Sequence, residues 1–265
     1  MMRISTLARV GLLLLTTACI ETLEPSKDKS AYVSAIAHTA GAGTFQLRVT
    51  GAFYRADEFT SSLDKPETCA AYPYSPQTSV GSFPTISAGD RLYTNVGGRV
   101  DTLFKNSLAG LLTYQLVSVP GIPFVVGDSL MLTVPGDVDG FPPVQAKVRV
   151  AEPFTYDPIG TAGDGETLPL TWVPAATPGA LMIFSLRFNT SGVSEEADTQ
   201  IYCVLLDDGS HSIEPAFAAA WGVAPAASRS VYASRARRTR VEVDGRTRLI
   251  LYSFFDLPTP ASPAP

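Results

Sequence analysis

Three side chains in this sequence carry the elements of acyl-transfer chemistry. Ser129 lies in FVVGDSLMLTV (Phe124–Val134), and Asp208 and His211 lie in LLDDGSHSI. A serine hydroxyl is a weak nucleophile until an imidazole takes its proton and a carboxylate holds that imidazole in place. Ser129 could be the nucleophile and Asp208-x-x-His211 the base with its orienting acid. The chemistry depends on whether the elements that carry these residues bring them within hydrogen-bond reach.

The two motifs resemble those of the GDSL serine hydrolases. That family places its serine early in the mature chain, at a strand-to-helix turn of an α/β fold. It carries Asp-x-x-His on a late helical segment and draws oxyanion donors from a Gly and an Asn between them. The resemblance implies a secreted hydrolase with Ser129 as nucleophile and His211 as base. The surrounding elements point elsewhere. Met131–Val134 continue as strand and stop at Pro135-Gly136, so no helix starts there. Ser87–Val96 (SAGDRLYTNV) repeats the same Gly-Asp-x-Leu entry into a strand, with Arg91 where the other copy has Ser129. The shared part is turn chemistry, because Gly tolerates positive φ and Asp bonds nearby backbone. Asp208-Gly209 is a hairpin connection, and no Gly-x-Asn-Asp supplies the oxyanion donors. Ser129 therefore reads as a strand residue behind a turn, and no catalytic residue is expected.

Metal chemistry finds little support. His38 and His211 are the only histidines, which excludes a multi-histidine zinc or copper site. Asp137-Val138-Asp139-Gly140 opens like a calcium loop, but the glycine comes too early and FPPVQ follows, so it reads as a polar turn. Asp164-Gly165-Glu166 and Asp207-Asp208 read the same way. No metal and no cofactor are expected. Seven arginines crowd the end of the chain: Arg229, Arg235, Arg237, Arg238, Arg240, Arg246 and Arg248. Arg235, Arg237, Arg238 and Arg240 form a candidate anion-binding stripe for lipid headgroups, lipopolysaccharide or acidic polysaccharide. The competing reading is a charged hairpin that guards a sheet edge. Alternation puts Arg235 and Arg237 on one face and Arg238 and Arg240 on the other. Burying several guanidinium groups is costly, so most are expected to be exposed, with Val241 and Val243 turned inward. Tyr72, Tyr74, Phe83 and Tyr93 flank a Pro- and Ser-rich loop and could stack on sugar rings or pin that loop to a sheet.

The start of the chain bears on location. Arg3 and Arg9 precede a short apolar run, Val10–Leu15, followed by Thr16-Thr17-Ala18-Cys19. The run is too short to span a bilayer, and the layout is that of a secretory signal peptide. TTAC resembles the lipobox of bacterial lipoproteins, although Thr16 stands where that family more often has Leu. The resemblance implies cleavage before Cys19 and a diacylglycerol on its thiol. It further implies a cell-envelope protein held by lipid, with Ile20 favouring the outer membrane. The net charge of −5 becomes more negative once Arg3 and Arg9 leave with the leader. That gives no support for nucleic-acid binding. Cys69 and Cys203 could bridge in an oxidising compartment, but they fall in different expected domains. The reading favours two buried thiols.

These residues must be placed by strands. TFQLRVTGAFY, LLTYQLVSV, SLMLTV and VQAKVRV alternate apolar and polar residues between Gly, Pro and Asp punctuation. A second set includes LPLTWVP, ALMIFSLRF, TQIYCVLL and two strands joined by Asp244-Gly245; only Ala216–Trp221 looks helical. LTWVP, the next apolar strand and CVLLDDGSHSI resemble a C-terminal sandwich domain of uncharacterised lipoproteins, loosely immunoglobulin-like or fibronectin type III-like. The expected fold is all-β, with two antiparallel β-sandwich domains. The expected organisation is a signal peptide (1–18), a lipidated tether (19–30), domain 1 (31–151), a linker (152–167), domain 2 (168–257) and a Pro-rich tail (258–265). The expected function is a non-catalytic binding or structural module of the cell envelope. Its expected partners are the membrane, through the anchor, and an envelope protein or glycan.

Overall fold

The computed structural model describes residues 29–41, 43–55, 62–74, 84–108, 110–117, 121–191 and 196–257. The leader, Cys19, residues 20–28 of the tether, Phe83 and the 258–265 tail lie outside them. The protein is all-β. The first half holds β1 (Lys29–Gly41), β2 (Thr44–Tyr54), β3 (Thr68–Pro73), β4 (Arg91–Val96), β5 (Arg99–Leu108), β6 (Leu111–Leu116), β7 (Ile122–Phe124), β8 (Ser129–Val134) and β9 (Val144–Arg149). The second adds β10 (Leu168–Thr171), β11 (Leu181–Phe188), β12 (Thr199–Leu206), β13 (Ser210–Ile213), helix α1 (Pro215–Val223), β14 (Ser230–Asp244) and β15 (Thr247–Asp256).

One sheet runs through both halves in the order β3-β12-β11-β14-β15-β1-β2-β6-β5-β4-β8-β9, with β7 on β2 and a separate β10–β13 pair. Two connections cross the expected domain boundary. β15 pairs in parallel with β1, Lys29 opposite Thr247. β3 leaves the first half to lie antiparallel on β12. The sheet curls so that β9 returns against β14 and β15, where the Thr239 hydroxyl donates to the Lys147 carbonyl at 2.7 Å. The 152–167 stretch is irregular but packed: Glu152, Phe154 and Ile159 are buried. Trp221 Nε1 donates to the Gly160 carbonyl at 2.8 Å.

Period-two alternation explains the core. In β1, Ala31, Val33, Ala35 and Ala37 point inward and are fully buried. Leu47, Val49 and Phe53 of β2 meet them, with Leu92, Leu103, Leu130 and Leu132 across the interior. The same apolar cluster continues into Phe184, Leu186, Ile201, Leu205 and Trp221, so the two halves share a core. Phe255 of β15 packs edge-on to Phe45 of β2 at 6.1 Å and to Phe154 of the 152–167 stretch at 6.3 Å. Strand directions set two ends. At the entry pole lie Lys29, the 135–143 loop and the β14–β15 turn. At the far pole lie the β1–β2 turn and the 125–128 turn, and on that side β11, β12 and β3 continue the sheet from the 230–236 end of β14. Phe141 caps the interior at the entry pole, edge-on to Phe53 at 4.9 Å.

Candidate functional site

The arginine strand β14 divides by face. Arg235 and Arg237 point inward and are almost fully buried, which overturns the expectation that most of these arginines are exposed. Arg235 meets Asp207, Nε to Oδ2 at 2.8 Å, and donates to the carbonyls of Val173 at 2.5 Å and Pro153 at 3.1 Å. Asp207 also accepts from Trp172 Nε1 at 2.8 Å and from the Ala175 amide at 3.2 Å. Asp207 is thus a buried counter-ion, and the polar-turn reading of Asp207-Asp208 fails at its first residue. Arg237 grips Glu152 with two bonds, 2.8 and 2.9 Å, and donates to the carbonyls of Thr177 and Pro178. Burial opposes ionisation of Glu152, but the Arg237 hydrogen bonds and charge hold its carboxyl below its ordinary range. Both guanidinium groups are enclosed by carboxylates and carbonyls, as buried charge requires, although Arg235 Nε lies close to Asp207 without an aligned hydrogen bond; their burial keeps them away from an external anion.

The outer face of β14 carries Arg238 and Arg240, both paired with Asp64 of a short helical turn, Ser62–Asp64. Arg248 is buried and bonds Glu242 at 2.5 Å. Arg229 donates to the Gly222 and Ala224 carbonyls at the end of α1. The expected stripe is therefore dispersed into ion pairs and a helix cap. Val241 and Val243 do turn toward the core.

Ser129 and His211 lie in separate sheets, and no hydrogen bond joins them. Ser129 opens β8 opposite Arg149 of β9. His211 sits in β13 opposite Leu170, with Nδ1 3.5 Å from Glu67 and Nε2 3.9 Å from the sulfur of Cys69. That sulfur is bonded to Cys203, so the two cysteines are bridged rather than free thiols. The bridge is a cross-strand pair, Cys69 of β3 directly opposite Cys203 of β12. Sequence reasoning missed it because it placed Cys69 and Cys203 in different expected domains and did not mark residues 68–73 as a strand.

The two Gly-Asp turns share their backbone: Gly89 and Gly127 both have φ of 105°. At 127 the turn stands at the far pole, and Asp128 Oδ2 accepts from the Val125 amide at 2.9 Å. At 89 it stands at the entry pole beside the 135–143 loop. A Cβ on Gly89 would come within 2.9 Å of the Gly136 carbonyl oxygen, so glycine lets the two loops close on each other. There they wall an open groove of about 930 Å³, lined by Lys29, Asp90, Arg91, Tyr93, Asp137 and Pro142 among others. Lys29 Nζ donates to the Gly140 carbonyl at 2.6 Å. Asp90 pairs with Lys105 at 3.0 Å. The Ser87 hydroxyl beside Asp137 holds that carboxyl below its usual range. Among the described residues no carboxylate lies within ion-pair distance of Lys29 or Arg91, and the Arg91 guanidinium rests over Phe104 at 5.3 Å.

This groove escaped the sequence reading. Its signal was present in SAGDRL and in PGDVDG, but each was weighed as a turn alone. Asp137 and Asp139 do not gather further ligands: among the described residues no cluster of three or more His, Cys, Asp and Glu could hold a metal ion. The tyrosines separate as well. Tyr74 and Tyr232 sandwich the Arg187 guanidinium, at 4.5 and 3.8 Å, whereas Tyr93 belongs to the groove. No helix among the described residues is long and apolar enough to cross a membrane. Compared with protein-family models, curated proteins and solved structures, the chain matches none.

Proposed function

We propose that this chain is a lipid-anchored module of the bacterial cell envelope that binds or braces a partner and performs no catalysis. The observation that carries the reading is the Cys69–Cys203 bridge. Disulfides persist in oxidising compartments and are rare in the cytosol, so the bridge agrees with the secretory leader and with Cys19 as the acylated residue. The geometry adds two supports. The serine and histidine that could do chemistry stand apart, each explained by its strand. The buried polar groups Arg235, Arg237, Asp207 and Glu152 are engaged in holding the 152–153 and 173–178 loops and the turn at Asp207 against β14. The test is fatty-acid labelling of cells that express the chain, alongside Cys19→Ser. Label on the wild type and none on the variant is expected. Label on both, or a mature N-terminus elsewhere than Cys19, refutes the anchor.

A further inference from the structure

We propose that the entry-pole groove binds the headgroup of phosphatidylethanolamine in the membrane to which the chain is anchored. The inference rests on the anchored reading above for its orientation and on the groove for its chemistry. The groove holds charge of both signs that the fold does not neutralise. Lys29 and Arg91 have no carboxylate within ion-pair distance among the described residues, and Asp137 has no such cation. The Ser87 hydroxyl, and at longer range the Lys105 ammonium already paired with Asp90, hold the Asp137 carboxyl below its usual range. A ligand that carries an anion and a cation a few bonds apart satisfies all three. Its phosphate would face Lys29 and Arg91, whose guanidinium suits phosphate oxygens. Its ammonium would face Asp137.

Position selects the source of that zwitterion. Lys29 is both a wall of the groove and the first residue of β1. From Cys19 to Lys29 the extended chain spans at most about 35 Å. An acylated Cys19 therefore holds the entry pole near the bilayer surface, while β11, β12 and β3 lie toward the other end. The volume, about 930 Å³, suits a headgroup with its glycerol backbone, since small-molecule sites run from about 300 to 1,000 Å³. A primary ammonium is preferred over choline because it can donate hydrogen bonds to Asp137, whereas a quaternary one cannot.

The experiment is vesicle flotation of the full chain carrying Cys19→Ser, so that no acyl chain contributes. Vesicles of phosphatidylcholine alone are compared with vesicles containing phosphatidylethanolamine or phosphatidylglycerol. Binding is expected to the phosphatidylethanolamine vesicles and to be displaced by soluble glycerophosphoethanolamine. Arg91→Gln and Lys29→Gln should each weaken it roughly tenfold, the scale of one lost charge-assisted hydrogen bond. Asp137→Asn should abolish the preference for phosphatidylethanolamine over phosphatidylglycerol, a change of selectivity that a merely structural role would not produce. Equal binding to all three vesicles, or no competition by glycerophosphoethanolamine, overturns the proposal even if a variant fails to fold. The two readings fail separately. An unacylated wild type whose Cys19→Ser form still selects phosphatidylethanolamine refutes only the anchor, and an acylated wild type without that selectivity refutes only the groove.

Discussion

The two faces of β14 carry the same residue type to opposite ends. Arg235 and Arg237 enter the interior and are paired with Asp207, Glu152 and backbone carbonyls. Arg238 and Arg240, one register step away, lie on the outer face and both pair with Asp64. The inner pair connects segments distant in sequence: loop 152–153, loop 173–178 and the turn at Asp207 all converge on one strand. The outer pair pins one short turn. An arginine inside a sheet protein is thus a junction for irregular backbone whose carbonyls no strand satisfies, and an arginine outside is a surface charge. The physical difference is water. A guanidinium removed from solvent must find every partner within the fold, whereas one at the surface can be served by water.

That contrast can be broken by substitution. Arg237→Ala leaves Glu152 buried without its main counter-ion and uncovers the Thr177 and Pro178 carbonyls. A loss of about 3–5 kcal/mol in unfolding free energy is expected by denaturant titration, the cost of breaking a buried pair from one side. A loss under about 1 kcal/mol would show the interior pair to be no different from the exterior one. Acid sharpens the comparison at a smaller scale. Arg237 holds the folded pKa of Glu152 below the ordinary glutamate value of 4.5. Its contribution is therefore present above that value and fades as pH falls through the lower folded pKa. The melting temperature should drop below about pH 4.5 more steeply for the wild type than for Glu152→Gln. Parallel curves would remove Glu152 from the account. The smallest effect is expected outside: Arg238→Gln with Arg240→Gln should cost about 1 kcal/mol or less, measured under the same conditions.

Much of the strand set was legible because alternation is local. β2, β8 and β12 fall on the runs that alternation marks, and the Asp244-Gly245 hairpin sits where its dipeptide places it. β1 escaped because its inward positions are mostly alanine, which has low strand propensity and little apolar contrast. It is nevertheless the strand that unites the molecule, since it receives β15 in parallel and β2 antiparallel. β5 was hidden by Arg99, Asp101 and Lys105, whose charges mask the inward Leu103. The expected pair of sandwich domains followed from treating neighbours in sequence as neighbours in space. β3 and β15 break that assumption, and with it went the estimate that Cys69 and Cys203 would remain apart.

By itself the sequence determined the all-β class, most strand positions, the turn chemistry of both Gly-Asp copies and the alternation of the β14 arginines. Each depends on residues within a few positions of one another, where backbone preference and side-chain period act directly. Only the tertiary structure decided which face of β14 is inside, which cysteines meet, and that Lys29, Arg91 and Asp137 wall one groove. Those outcomes depend on which strands pair across long separations. Strand pairing is set by the summed burial of whole faces, and a single strand's pattern says which residues share a face but not what that face will meet.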